Sequence, residues 1–363
     1  MLKESYIRNF RDEVNKRDFI YFRYKDVGGK SHWNAICSCM DWITVAVRAI
    51  NSIGEIPKDI DGKVTALFTL ISYVDVINES ITTLHTVLKS QTKRVSPFCG
   101  DKEVFQGMEG KDDNTYFTEL RARFGAHPVN LNDKHSKERH FASWPYDSMY
   151  GDCDLEVTLY SNRVGGQDKH IKLNKSDLVN FVEIRYGYLI TLIEVIRQQY
   201  SEFILECKTN VIETKENIKE QIDVLLYENK KRLDSPYFED NLTTIKDIFS
   251  VSLESESLRN KEKAFKNDLE HLVHEIYEHL QNGKFDEDLS QHSTLSVDNL
   301  YSHDSYIMGK LMSCLLSKRY DDPMLDYYFK RLDEMDEWGY TFSIKDDFSL
   351  TLLKVYLLDR EYS

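Results

Sequence analysis

The chain has 363 residues, more than the roughly 100–200 of a typical single domain, so two packed units are expected. Hydrophobic residues make up 41% and charged residues 30%, with 15 Gly and 6 Pro, a composition that favours helices and disfavours an all-β fold. The formal net charge of −14 excludes a protein that coats nucleic acid through a uniformly basic surface, so a nucleic acid would have to bind a local basic patch.

Cysteine usage and the apolar segments indicate the compartment. The six cysteines form no CxxC pair and no regular spacing, so neither a zinc knuckle nor a disulfide framework is indicated. The N-terminal segment lacks the apolar core of a signal peptide, and no apolar run approaches the ~18 residues of a membrane span. We therefore expect a soluble cytoplasmic protein without a membrane partner, and the sequence indicates no cofactor and no resident metal.

Two long helices are predicted first. Apolar residues between 33 and 52 recur at three- and four-residue steps, and Gly54 and Pro57 end that pattern. From Val64 to Leu88 the apolar residues fall seven apart, as on one face of a packed helix. Asn78 and His85 stand in a companion row where apolar residues were expected. They either form a hydrogen-bonded polar pair that fixes helix register or support a nearby site.

A loop and a short helix follow. Residues 91–113 contain Pro and several Gly and are predicted to be a loop. A short helix is predicted over about 114–125. It must end near Gly125 and Pro128, because neither residue suits a helix interior.

A β-hairpin and a further helix are predicted next. Residues 154–160 alternate between apolar and polar types and are followed, after a Gly-Gly turn, by the strand-like segment 170–173. We assign them to a β-hairpin insertion at about 141–174. The helix predicted over 176–206 is apolar on two sides, which is typical of a central helix or one that joins a core to a dimer interface.

The composition shifts toward Lys, Glu and Asp after about residue 208. Further helices are predicted over 212–232, 257–282, 298–319, 323–337 and 346–359. The predicted fold is therefore all-α with a small β-hairpin insertion. We divide it into an N-terminal helical domain over residues 1–207 and a helical accessory or assembly domain over residues 208–363.

The strongest candidate for chemistry is the segment Arg121-Ala-Arg-Phe-Gly-Ala-His127, in which a histidine follows an arginine at a predicted helix end. It resembles the HEPN superfamily, all-helical domains whose ribonuclease members carry an Arg-x(4–6)-His motif near the end of one helix. Arg121 and His127 fit that spacing, whereas Arg123 is too close to His127. Many members have a polar residue where this chain has Ala122.

The resemblance implies a homodimer that cleaves RNA without a metal, with Arg121 and His127 as the catalytic pair and Arg123 positioning the strand. Imidazole titrates near neutrality and can transfer the proton of a ribose 2′-hydroxyl. Guanidinium stays cationic and matches a phosphate. The family also implies a toxin or antiviral defence effector, with an antitoxin or defence protein as a further partner.

Local composition around the motif is basic. The substrate-binding candidates are Arg123, Lys134, Lys137, Arg139 and Trp144. The aromatic residues Phe141, Trp144 and Tyr146 either stack on bases or pack in the fold. Asp75, with Asn78 and His85, is a supporting candidate: its carboxylate either anchors an arginine of the motif or lies on a solvated face.

Two other functions fit the sequence. The first is a non-catalytic HEPN-like interaction or sensor module that dimerises and binds a protein or RNA, which Ala122 and the acidic net charge favour. The second is a metal site at His271 and His274, which share a helix face but lack an evident third ligand. Histidines beside glutamates at four-residue spacing more often decorate an exposed helix.

Overall fold

The computed structural model describes residues 1–90, 93, 95–106, 108–126, 131–132, 139–144, 153–290, 292–319 and 321–362. The chain divides into two compact units, Met1–Tyr200 (unit 1) and Ser201–Ser363 (unit 2), and the division falls within one helix. The described residues are mainly helical with one small antiparallel sheet, so the predicted fold class is confirmed.

Unit 1 is built around a pair of long helices. Its helices are α1 Glu4–Asn15, α2 Phe19–Tyr24, α3 His32–Ser52, α4 Ile60–Leu88, α5 Asp113–Arg121, α6 Lys175–Gly187 and α7 Leu189–Thr209, the last of which continues into unit 2. A short 3-10 turn covers Met108–Gly110, and a π-helical turn covers Ala122–Ala126. Helix α4 packs against α3 and α6, so it forms the centre of the unit.

The heptad pattern accounts for the central position of α4. Leu67, Val74, Ile81 and Leu88 recur every seven residues and are at most 1% exposed, so one continuous apolar stripe lies in the core. At the start of the helix, the Asp59 carboxylate accepts a hydrogen bond of 2.7 Å from the Gly62 amide. That contact satisfies one of the amide groups left unpaired at a helix N-terminus.

The sheet has the strand order β1-β2-β3-β4 and is antiparallel throughout. Its strands are β1 Leu131–Asn132, β2 Arg139–Ser143, β3 Leu155–Ser161 and β4 Lys169–Leu173. The β3–β4 hairpin confirms the predicted pairing, whereas β1 and β2 are additional strands that extend the sheet. Strand alternation gives the sheet two faces, and the side chains of the inner face that form its apolar layer are buried. They are Leu155, Val157, Leu159, Ile171 and Leu173.

The single helix predicted over 176–206 is wrong in one respect, because the chain forms two helices that meet at Tyr188. Gly187 ends α6, and glycine is a poor helix former. The Tyr188 amide bonds to carbonyls at the end of α6, and the Tyr188 hydroxyl lies 2.9 Å from Nδ1 of His85. The residue that separates α6 from α7 thus also contacts α4 through His85.

The described residues of unit 2 contain helices and connecting loops and no β-strand. Its helices are α8 Ile218–Arg232, α9 Pro236–Phe249, α10 Glu256–Asn282, α11 Asp298–His303, α12 Ser305–Leu316, α13 Leu325–Met335 and α14 Phe348–Glu361, with a 3-10 turn at His292–Leu295. Helix α14 is buried along most of its length and packs against α9, α10, α11 and α12. It is therefore the centre of this core.

Two features of unit 2 differ from the sequence-based expectation. Helix α9 was not predicted. The helix predicted over 298–319 is two helices, because Asp304 ends α11 and its carboxylate accepts the Ile307 amide at 3.1 Å to cap α12. None of the helices in the described part of the chain is both long and apolar enough to cross a bilayer.

The net charge is distributed unequally between the units. Unit 1 contains 27 Lys or Arg and 27 Asp or Glu, so it is formally neutral. Unit 2 contains 20 basic and 34 acidic residues and therefore carries the whole net charge of −14. Net negative charge therefore repels a nucleic acid from unit 2 and not from unit 1.

Candidate functional site

The motif segment begins in a capped helix. The Asp112 carboxylate accepts the Thr115 amide at 2.8 Å, which starts α5. Arg121 ends α5, and Ala122–Ala126 continue as a π-helical turn, a local widening that is frequent at functional sites. The predicted short helix is thus confirmed up to this turn. His127 lies outside the described residues, so the structure gives the position of the arginine of the predicted pair.

Asp75 of α4 holds Arg121 in place. One nitrogen of the Arg121 guanidinium, Nη1, donates to the Asp75 carboxylate at 2.8 Å. The pair joins two helices that are 46 residues apart in the chain, and it agrees with the anchoring role considered for Asp75. The Arg121 side chain remains 40% exposed, whereas that of Asp75 is 20% exposed. The carboxylate therefore orients a guanidinium that still offers surface to an anion.

Asn78 lies one helical turn beyond Asp75 on the same face of α4. It is 8% exposed, and its Oδ1 atom is buried without a hydrogen-bond partner among the described residues. The Nε atom of Arg121 is likewise buried and unpartnered there. A buried acceptor and a buried donor left unpaired are costly, and such groups are retained where a ligand or an ordered water can bind them.

His85 belongs to a different cluster. Its Nδ1 atom lies 2.9 Å from the Tyr188 hydroxyl, and the Tyr188 ring packs edge-on against Phe98. Ten residues separate His85 from Asp75, which is roughly 15 Å along the helix axis. Burial, and secondarily the charge of Lys89, lowers the pKa of His85. The proposed polar pair with Asn78 is therefore wrong, because His85 bonds to α6–α7 instead, and the structure does not bring His85 to Arg121.

Arg123 has a carboxylate partner on its own helix. Its guanidinium donates to Glu119 at 3.0 Å, and its side chain is 15% exposed. Glu119 also accepts from Lys111 at 2.6 Å. This cluster of two cations and one anion is less accessible to a nucleic-acid strand than Arg121 is. Arg121 is therefore the more accessible arginine of the motif.

The other predicted substrate-binding residues are described in part. Arg139 is exposed at the start of β2, and Trp144 follows β2 and is half-buried. Lys134, Lys137 and Tyr146 lie outside the described residues. The described part of the basic segment therefore places Arg139 on the sheet and Arg121 at the end of α5.

Arg185 of α6, which was not predicted from the sequence, joins α6 to α5 through Asn114. Arg185 is 1% exposed, donates to the Asn114 side chain at 2.8 Å and lies 3.5 Å from the centroid of the Phe181 ring. Burial lowers its pKa to about 10, although Asp113 and two nearby aspartates oppose that shift. A signal was present, since this cation interrupts the apolar stripe of α6.

The histidines considered for a metal do not gather further ligands. His271 and His274 are both exposed on α10, and the described residues include no group of three or more His, Cys, Asp or Glu side chains arranged to hold a metal ion. Comparison with known proteins adds no family to this description, because no family model, no curated protein and no solved structure matches the chain.

Proposed function

We propose that the chain is a metal-independent endoribonuclease in which Arg121 and His127 cleave RNA. The observation that carries the proposal is the geometry of Arg121, whose guanidinium is held by Asp75 at 2.8 Å while 40% of the side chain stays exposed. A π-helical turn leads from this arginine directly to His127. An oriented, accessible cation that precedes a titratable histidine by six residues in the sequence suits the stabilisation of a phosphodiester transition state.

In the proposed reaction a ribose 2′-hydroxyl attacks the adjacent phosphorus. His127 removes the hydroxyl proton or returns a proton to the departing 5′-oxygen, and Arg121 stabilises the charge that grows on the phosphate. The new bond joins the 2′-oxygen to phosphorus and the bond from phosphorus to the 5′-oxygen breaks. The products are a 2′,3′-cyclic phosphate and a free 5′-hydroxyl, so DNA is not a substrate.

The proposed biological role follows from the resemblance to the HEPN superfamily. Members with this motif commonly arrest growth by cutting cellular or invading RNA, which makes the chain a toxin or antiviral effector. As in that family, the active form would be a homodimer in which two copies of Arg121 and His127 face one cleft. An antitoxin or another defence protein would then restrain it.

One observation favours a second candidate, a non-catalytic HEPN-like module that dimerises and binds a partner protein or RNA. Both arginines of the motif have carboxylate partners, Arg121 with Asp75 and Arg123 with Glu119. Their charge is therefore partly neutralised before any phosphate arrives. The module and the enzyme differ in whether the motif residues change the covalent structure of RNA.

The decisive experiment incubates the purified full-length protein with mixed RNA in EDTA and compares Arg121→Ala and His127→Ala with the wild type. We expect cleavage that persists in EDTA, leaves cyclic phosphate ends and falls by at least about a hundredfold in each variant. Arg8→Ala and His32→Ala, which alter the same residue types elsewhere in unit 1, should cleave like the wild type. Equal behaviour of all five proteins would exclude catalysis by Arg121 and His127, and RNA left intact by all five would favour the non-catalytic module.

A further inference from the structure

Two aromatic rings lie side by side on the outer face of the sheet. Phe141 of β2 and Tyr160 of β3 are direct register partners, and they are 41% and 38% exposed. Side chains of directly opposite residues have their Cβ atoms about 4.5–5.5 Å apart, so the two rings share one surface. The outer face of such a sheet is ordinarily polar, so an exposed pair of rings on it offers a surface on which a ligand can stack.

The rings have a cationic neighbour. Arg139 precedes Phe141 by two residues and therefore projects from the same face, where it is exposed. Both backbone groups of Arg139 are hydrogen-bonded to Asn162. The Arg139 amide donates to the Asn162 side chain and the Arg139 carbonyl accepts from the Asn162 backbone amide, each at 2.9 Å. The strand end that carries Arg139 is thus anchored beside the rings.

The rest of the outer face is polar. In the next row His170 of β4 contacts Thr158 at 3.2 Å, and the same ring nitrogen lies 3.2 Å from Glu156. Lys172 is the register partner of Glu156 and is exposed. The residues of this face in β2, β3 and β4 are Arg139, Phe141, Ser143, Glu156, Thr158, Tyr160, His170 and Lys172. Both apolar members are aromatic and no aliphatic side chain is among them.

We propose that this face binds single-stranded RNA, with Phe141 and Tyr160 as a platform on which unpaired bases stack and Arg139 on the backbone phosphate. Aromatic rings on a sheet can stack on bases of any sequence. Arg139 supplies the charge that complements a phosphate. The choice of RNA over DNA rests on the ribonuclease function proposed above. The stacking platform is inferred independently, from the register and exposure of Phe141 and Tyr160.

The test measures binding in the absence of cleavage. Full-length protein carrying His127→Ala is titrated against a fluorescein-labelled oligouridylate of roughly ten nucleotides, and fluorescence anisotropy gives the affinity. Adding Phe141→Ala or Tyr160→Ala should weaken binding about fivefold or more for each ring lost. Tyr160→Phe should bind like the parent because it keeps the ring. The matched control is Phe68→Ala, a ring on α4 that is 44% exposed.

A second measurement covers the case in which an alanine variant fails to fold, as monitored by circular dichroism. Photo-crosslinking of the parent protein to a 5-iodouridine oligonucleotide, followed by mass spectrometry, should place adducts at Phe141 or Tyr160. Adducts confined to other segments, or unchanged affinity in both alanine variants, would overturn the platform. Equally tight binding of the deoxyuridine oligonucleotide would overturn the choice of RNA.

The two proposals fail separately. If the wild-type protein leaves RNA intact while the ring substitutions still weaken binding, the ribonuclease is excluded and the platform stands. If wild-type cleavage depends on Arg121 while the ring substitutions leave affinity unchanged, the platform is excluded and the ribonuclease stands.

Discussion

His85 is a titratable side chain in the core of unit 1, and its surroundings make unfolding dependent on pH. Burial and, secondarily, the nearby charge of Lys89 lower its pKa from the usual 6.5, and its Nδ1 atom lies 2.9 Å from the Tyr188 hydroxyl. The unfolded chain therefore takes up a proton on acidification before the folded chain does. Stability is fully present above pH 6.5 and is lost as the pH falls below that value toward the lowered pKa.

We expect the free energy of unfolding, measured by urea denaturation, to fall between pH 7 and pH 5. The contribution of this one proton is at most about 1.4 kcal/mol per pH unit. His85→Gln removes the titration and keeps a polar side chain facing Tyr188, so its stability should fall less steeply over the same range. Parallel curves for the two proteins would show that His85 does not contribute to acid sensitivity.

At the scale of the elements, two helices end at a glycine, and the space available for a Cβ atom differs between the two positions. Gly187 is the last residue of α6, and a Cβ atom there would have no heavy atom within 4 Å. Gly283 caps α10 with φ of +67°, and a Cβ atom there would lie 2.6 Å from Ile204 Cδ1. The first glycine is replaceable. The second is constrained, because glycine adopts a left-handed conformation without the strain that a Cβ atom adds.

We expect Gly187→Ala to raise the free energy of unfolding by about 0.5–1 kcal/mol, since alanine reduces the entropy of the unfolded chain. Gly283→Ala should lower it by more than about 1 kcal/mol, because the backbone strain adds to the contact with Ile204. Chemical denaturation followed by circular dichroism compares the two variants with the wild type. A shift of the same sign in both would contradict this account.

Regular periodicity in the sequence made several helices and strands predictable. Contacts between residues far apart in the sequence could not be predicted. The seven-residue spacing of α4 and the alternation along β3 and β4 encode those elements locally. The break at Tyr188 coincides with its contact to His85, 103 residues away, and the Arg121–Asp75 pair spans 46 residues. No local pattern marks such partners. Arg121 was therefore identified from spacing, but its anchor was only one of two alternatives.

In the sheet, too, contacts between distant segments could not be predicted. Phe141 was selected because it lies near the motif in the sequence, and stacking on bases and packing in the fold were both possible roles for it. Tyr160 was not, because its significance comes from its register opposite Phe141 and its exposure. Periodicity predicts that a strand has two faces, but not which strand pairs with it.

At the scale of the whole molecule, the separation of charge determines how the proposed RNA ligand would be held. Unit 1 is formally neutral and unit 2 carries all 14 net negative charges, so long-range attraction to a polyanion is absent. Binding must then come from stacking and from a few local cations. The described candidates are Arg121 at the end of α5 and Arg139 on β2, both exposed in part or fully.

Such binding should depend only weakly on salt. For single strands the logarithm of affinity falls with the logarithm of salt concentration at a slope of about −0.7 per phosphate contact, so two or three contacts give roughly −1.4 to −2. Anisotropy titrations of the His127→Ala protein across a range of NaCl concentrations measure the slope, and adding Arg139→Ala should make it shallower by about 0.7. A slope steeper than about −4 would require a broad basic surface, which the even balance of 27 basic and 27 acidic residues in unit 1 does not supply.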